Sequence, residues 1–253
     1  MTDITRGKKE ILFIVATHGD EGFSVEVLKK LDQTVTEKNY DWIIANEEAL
    51  KINKRFIDCD LNRVAPGNIK SNKYEERRAA EILAISRKYK YVIDLHGTSA
   101  NTGIFTIITA PTLENLQLAA ILPIKRNVIW QNNRTYGPIT KYVKCGVEIE
   151  CGPKNSSKNI NSLYWFLKNF LNSNTSNQLL PIPLREYYRV YGKLSKKLFK
   201  KALHKPNEFD SLKVKNENFF PLFVNCYQDI SCLKLKRIKY TDLLIKTSYM
   251  RAM

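Results

Sequence analysis

Short apolar runs and amphipathic segments alternate along the first two thirds of the chain. The apolar, β-branched run at 11–16 predicts a buried strand, and apolar residues recur at helical spacing over 22–31. The same pattern predicts further strands at 42–45, 91–95, 104–109 and 146–150, and further helices at 74–89 and 163–171. Strands that alternate with helices predict an α/β fold with a central sheet and helices on both faces.

The composition changes after residue 171, which predicts a domain boundary there. A polar, low-complexity stretch at 172–177 is followed by Pro181 and Pro183. We therefore predict a first domain at 1–175 and a small, mostly β C-terminal module at 184–253. The β-like pieces of the module lie at 219–224 and 243–245.

The overall composition is that of a globular protein. Of the 253 residues, 43% are hydrophobic and 26% are charged. No apolar run is long enough to cross a membrane, and the run at 11–16 is too short for a signal peptide, so we expect no membrane partner and a cytoplasmic location. Five cysteines without a C-x-x-C pair predict reduced thiols.

The formal net charge of +16 permits two interpretations. It suits a nucleic-acid partner, and it also attracts small acidic substrates. The lysines are spread along the chain, and the densest group at 193–205 has the spacing of a solvated amphipathic face. A nucleic-acid partner is therefore not favoured, and His204 within this group is expected to be a surface residue.

Two of the three histidines directly follow predicted strands. His18 follows the strand at 11–16, and His96 follows the strand at 91–95. Ligands of open α/β sheets bind beyond the carboxyl ends of strands, so both positions suit a site. Glu21 lies three residues after His18, and two histidines with one carboxylate form a typical catalytic zinc set. H-x-x-E alone is weak, because such pairs are common on helix surfaces.

Four motifs in a fixed order strengthen this hypothesis. They are His-Gly-Asp-Glu at 18–21, Arg-Phe-Ile-Asp-Cys-Asp-Leu-Asn-Arg at 55–63, Asp-Leu-His-Gly-Thr at 94–98 and Glu-Ile-Glu-Cys-Gly-Pro at 148–153. Together they closely resemble the signatures of the succinylglutamate desuccinylase and aspartoacylase family, with the 55–63 run most similar to the aspartoacylase branch. The resemblance covers residues 11 to about 167. It implies a zinc carboxypeptidase-like fold with a mixed central sheet.

The resemblance also implies roles for individual residues. One Zn²⁺ per subunit would be bound by His18, Glu21 and His96. Glu150 would be the general base, although Glu148 is on the same face of its strand and remains an alternative. The remaining roles concern the substrate: Arg55 would polarise the scissile carbonyl, Asn62 and Arg63 would hold a substrate carboxylate, and Tyr227 would be a further substrate contact.

These roles imply a zinc-dependent amidohydrolase that deacylates a small acidic N-acyl amino acid. N-acetyl-L-aspartate is the first expected substrate, and N-succinylglutamate is the alternative within the family. A basic nucleic-acid-binding protein on a degenerate hydrolase core is the alternative from another class. The sequence departs from the family pattern at Asp20, where asparagine is more usual, and a further substrate-contacting arginine has no clear match. A homo-oligomer remains open.

Overall fold

The computed structural model describes residues 9–131, 134–172, 185–199 and 206–243. Their centre is a ten-stranded sheet with the order β2-β1-β3-β6-β4-β5-β7-β10-β9-β8. The strands are β1 (Ile11–Val15), β2 (Tyr40–Ile44), β3 (Tyr91–Gly97), β4 (Gly103–Ile108), β5 (Arg126–Ile129), β6 (Gly146–Gly152), β7 (Glu186–Ser195), β8 (Leu212–Val214), β9 (Glu217–Leu222) and β10 (Ile230–Ile238).

Helices connect most of the strands in the first part of the chain. They are α1 (Phe23–Thr34), α2 (Glu47–Lys51), α3 (Tyr74–Ser86), α4 (Leu113–Ile121), α5 (Ser157–Asn172) and α6 (Lys196–Phe199), with 3₁₀ turns at Leu61–Arg63 and Ile139–Lys141. Side-chain caps fix two of the helix starts: Asn46 accepts a hydrogen bond from the amide of Ala49, and Thr112 accepts one from Asn115. The 3₁₀ turn at Leu61–Arg63 lies within the motif at 55–63.

The sheet is mixed, as the resemblance implies. β2, β1, β3 and β6 run parallel to one another, whereas β4 is antiparallel to β6. The carboxyl ends of β1, β3 and β6 therefore meet at one edge of the sheet, which is where α/β proteins place their ligands.

Helices cover both faces of the sheet, which confirms the predicted architecture. Successive side chains of β1 point to opposite faces, as a strand requires. On one face Phe13 belongs to the core cluster that holds Leu28 of α1 and Leu167 of α5. On the other face Ile14 belongs to the cluster that holds Ile82 of α3.

The C-terminal residues are rich in strands and continue the same sheet. β7 is parallel to β5, and β10 is antiparallel to both β7 and β9. β9 matches most of the strand predicted at 219–224, but Leu243 lies in a helical turn, and 244–245 are outside the described residues. The division into two domains stays a prediction.

The predicted amphipathic segment at 193–205 is divided between two elements. Lys193 lies in β7, and 196–199 form α6. Residues 200–205, with His204, lie outside the described residues. Within the described part of the chain, no helix has both the length and the apolar character needed to cross a membrane.

Candidate metal and catalytic site

The predicted site residues converge where three parallel strands end. His18 follows β1, His96 lies near the end of β3, and Glu150 lies near the end of β6. His96 and Glu150 are paired in the β3–β6 register and are therefore direct neighbours. The structure thus brings these side chains together beyond the carboxyl ends of the strands.

Three side chains form a compact, buried donor cluster. Nδ1 of His18 lies 2.8 Å from Oε1 of Glu21, and Nδ1 of His96 lies 3.4 Å from Oε2 of the same carboxylate. All three residues offer donor atoms within 4.8 Å of one another. Two imidazoles and one carboxylate at this spacing fit a catalytic zinc ion, which leaves a further coordination position open.

A tight turn brings Glu21 back to His18. The amide of Glu21 donates to the carbonyl of His18 at 3.0 Å, and the amide of Gly19 donates to the carbonyl of Arg55 at 3.2 Å. A Cβ at Gly19 would lie 2.2 Å from the carbonyl carbon of Ala49. The turn can therefore pack against α2 only because residue 19 has no side chain.

Asp94 lies on the other side of the His96 ring. Its Oδ2 is 3.1 Å from Nε2 of His96, and its Oδ1 accepts a hydrogen bond of 2.9 Å from the hydroxyl of Thr17. Asp94 and His96 lie two positions apart on β3, so their side chains share a face of the sheet. A carboxylate behind a histidine ligand fixes the ring orientation, so Asp94 is placed to position His96.

Glu150 lies beside the donor cluster, and one of its carboxylate oxygens accepts no hydrogen bond from the described residues. Its Oε2 is buried and has no hydrogen-bond partner among the described residues. Burial, together with the charges of Glu21 and Glu148, raises the pKa of Glu150 to about 8, although His96 and His18 act in the opposite direction. A carboxyl group with a raised pKa near a reaction centre suits general acid–base catalysis.

Glu148 shares the face of β6 with Glu150 but lies deeper in the protein. Its donor atoms group with those of Asp94 and His96, and its Oε1 is 3.4 Å from the hydroxyl of Thr140. Burial raises the pKa of Glu148 as well. Because Glu148 groups with Asp94 behind His96, the geometry favours Glu150 as the base.

Asp60 connects the loop at 55–63 to the donor cluster. Its Oδ1 lies 3.2 Å from Nε2 of His18 and accepts a hydrogen bond of 2.9 Å from the amide of Asn62, while its Oδ2 accepts one of 2.9 Å from Arg55. The side chain of Arg55 is 45% exposed, so the guanidinium borders the open side of the site.

The three residues predicted to contact substrate lie around the same region. Asn62 is buried, and its Oδ1 has no partner among the described residues. Nη1 of Arg63 donates to the carbonyl of Asn62 at 2.8 Å. Tyr227 belongs to the C-terminal strand region. Burial raises the pKa of its hydroxyl, and the nearby charges of Arg63, Glu150 and Arg55 also affect this pKa. Their roles in binding stay predictions.

Comparison with known proteins finds the same family that the four motifs resemble. The model of the succinylglutamate desuccinylase/aspartoacylase catalytic domain matches residues 8–161, which is more than half of the chain. This chain belongs to that family. The probable aspartoacylase of Acaryochloris marina is 28% identical over 163 residues, which are 57% of this chain and 55% of that protein. The probable aspartoacylase of Prochlorococcus marinus (strain MIT 9215) is 32% identical over 162 residues, which are 57% and 54%.

Solved structures share the fold of this family member. Murine aminoacylase 3 superposes with a TM-score of 0.68 at 16% identity, covering 91% of this chain and 96% of that one. The succinylglutamate desuccinylase of Chromobacterium violaceum superposes with a TM-score of 0.68 at 17% identity, covering 92% and 86%. The zinc carboxypeptidase-like fold is thereby confirmed. The chain spans about half the length of the curated relatives it matches.

Asp20, where this family member departs from the usual asparagine, has a specific partner. Nζ of Lys154 donates to Oδ2 of Asp20 at 2.6 Å, and the amide of Lys154 donates to the carbonyl of Thr98. Lys154 thus balances the added negative charge beside Glu21. No local sequence pattern indicated Lys154, and the 55–63 motif contains Asp60 without indicating its contact with His18.

Proposed function

We propose that this chain is a zinc-dependent deacylase that hydrolyses N-acetyl-L-aspartate to acetate and L-aspartate. The observation that carries the proposal is the buried cluster of His18, Glu21 and His96 with the unpartnered carboxylate oxygen of Glu150 beside it. Membership in the family supports an N-acyl amino acid as the substrate class.

Each residue of the site has a physical task in this reaction. A zinc ion held by the three donors would supply Lewis acidity, which lowers the pKa of water and polarises a carbonyl group. Glu150 in its carboxylate form takes a proton from the attacking water and returns it to the leaving amine. The guanidinium of Arg55 stabilises the negative charge that develops on the carbonyl oxygen.

The arginines account for an acidic substrate. A guanidinium holds a carboxylate through two parallel hydrogen bonds, and Arg63 lies next to the buried amide of Asn62. Tyr227 closes the same region from the C-terminal strands. These groups support a small substrate that carries a carboxylate, as N-acetylaspartate and N-succinylglutamate both do.

The test is hydrolysis of both substrates by protein of known metal content. We expect N-acetylaspartate to be deacylated with the higher kcat/KM, and we expect Glu150→Gln to lose at least 100-fold in kcat while it keeps its metal. Removal of the metal by a chelator should abolish turnover, and one equivalent of Zn²⁺ should restore it. A protein that binds one equivalent but hydrolyses neither substrate would refute the substrate assignment alone. A protein that binds no metal would refute the donor cluster.

A further inference from the structure

A buried carboxylate outside the site holds the loop that carries Arg55 and Asp60. Glu75, in the first turn of α3, is fully buried. Its Oε2 accepts hydrogen bonds from the amides of Asp58 at 3.0 Å and Cys59 at 3.1 Å. Its Oε1 accepts one from the amide of Ile57 at 2.6 Å and one from Nδ2 of Asn46 at 3.0 Å.

We propose that Glu75 is a positioning residue that sets the location of Arg55 and Asp60 in the site, an inference that rests on the proposed function. Three consecutive loop amides point inward at one carboxylate. A buried carboxylate without hydrogen-bond partners is costly, so the burial of Glu75 favours the loop conformation that supplies these amides.

Two further hydrogen bonds hold the same loop, one at Arg55 and one at Asp58. The carbonyl of Arg55 accepts a hydrogen bond from Gly19 in the metal-binding turn, and Oδ2 of Asp58 accepts one from the amide of Tyr74. Asp60 then reaches His18 and Arg55. Glu75 therefore acts on the site through the loop and touches none of the three donor residues.

The carboxylate of Glu75 accepts hydrogen bonds from these amides and does not take part in an ion pair among the described residues. Within the described residues no lysine, arginine or histidine lies within ion-pair distance of it, although the start of α3 favours a negative charge. Oε1 accepts two donors, and Oε2 accepts two amides and the thiol of Cys59 at 4.0 Å. A glutamine has one acceptor oxygen and one NH₂ group, so in either orientation Glu75→Gln loses at least two hydrogen bonds and opposes donors to donors.

The matched control is the next residue of the same helical turn. The carboxylate of Glu76 accepts a hydrogen bond from the hydroxyl of Ser71 and lies 3.5 Å from Nζ of Lys73, so it has no contact with residues 55–60. Glu76→Gln makes the same chemical change one position away and should keep the kinetics of the wild type.

The experiment is a mutant cycle with Arg55 and Asp60 in the metal-loaded enzyme. We expect Glu75→Gln to lower kcat at least tenfold, with a smaller change in KM and with one equivalent of zinc retained. In the background that carries both Arg55→Ala and Asp60→Ala, the same substitution should change kcat less than twofold, because both groups that it positions are already absent. An equal loss of kcat in both backgrounds would mean a general structural role and would overturn the proposal.

Amide hydrogen exchange tests whether Glu75 holds the loop without relying on a measurement of catalysis. We expect the amides of residues 57–59 to exchange at least tenfold faster in Glu75→Gln than in the wild type or in Glu76→Gln. If the wild type hydrolyses neither substrate, the proposed function fails while this exchange still decides whether Glu75 anchors the loop. Unchanged exchange at 57–59 would overturn the anchor even in an active enzyme.

Discussion

The donor cluster illustrates how individual charges prepare a residue for metal binding. Burial disfavours the imidazolium form of His18 and His96, but the carboxylates around them outweigh burial and raise the pKa of both rings. These carboxylates are Glu21 and Asp60 for His18, and chiefly Asp94 for His96. The carboxylates therefore favour protonated rings at the positions proposed to hold zinc.

This protonation predicts a pH dependence of metal affinity. Groups with raised pKa values keep their protons at low pH, and a cation must displace them, so we expect zinc affinity to increase as pH rises from 6 to 8.5. The measurement is competition with a chelator of known pH dependence, together with calorimetry in two buffers to count released protons. Glu150, with a pKa of about 8, contributes to that count, and Glu150→Gln should release fewer protons. A constant affinity over this range would contradict the protonated cluster.

At the scale of elements, α1 supports the turn at 18–21, which carries His18 and Glu21, by packing against the sheet. The helix begins at Phe23, two residues after Glu21, and its Leu28 is fully buried in the cluster that includes Phe13 of β1. A shift of this helix would carry Glu21 with it. The apolar face of α1 therefore couples core packing to the geometry of the donors.

Truncation of this face should destabilise the fold. Leu28→Ala removes a fully buried side chain, and we expect the free energy of unfolding to fall by about 2–5 kcal/mol. Urea denaturation of the metal-free protein measures this. The exposed neighbour Lys29 provides the control, since Lys29→Ala should change stability by no more than about 0.5 kcal/mol. A loss below about 1 kcal/mol for Leu28→Ala would indicate that α1 is not part of the stabilising core.

The sequence predicted the strands with continuous apolar runs and missed strands whose pattern is short or alternates with lysine. The apolar runs of β1 and β3 are buried on both faces and are easy to recognise. β5 has only four residues and begins with Arg126, so its local pattern is too short to identify a strand. β10 alternates leucine and lysine at 233–236. This period of two is typical of a strand, but the strand was not among the predicted elements.

The site was predictable to the extent that its residues lie in short motifs. His18 and Glu21 are close in sequence, and His96 follows a recognisable strand. Glu75 gave no signal, because a glutamate in a charged helix is usually solvated and its partners here are backbone amides of a distant loop. The Lys154–Asp20 pair likewise depends on a contact across 134 positions, which local patterns do not contain.

At the scale of the whole molecule, the positive charge is unevenly distributed. Residues 185–253 contain 16 of the 41 lysines and arginines but only 6 of the 25 acidic residues. Much of the net charge of +16 therefore lies in the C-terminal part, which also brings Tyr227 to the site. An excess of one sign near a binding cleft raises the local concentration of oppositely charged small molecules, and salt screens this effect.

The charge distribution predicts that salt weakens substrate capture but leaves catalysis intact. For N-acetylaspartate we expect kcat/KM to fall several-fold between about 0.02 and 0.5 M NaCl at constant kcat, because screening acts on association. Charge reversal at two exposed lysines of α6, Lys196→Glu with Lys197→Glu, should flatten this dependence. The same net change on α1, Lys29→Glu with Lys30→Glu, separates a local effect from total charge. If both double variants respond alike, only total charge matters. If kcat/KM does not depend on salt, the basic surface takes no part in capturing an acidic substrate.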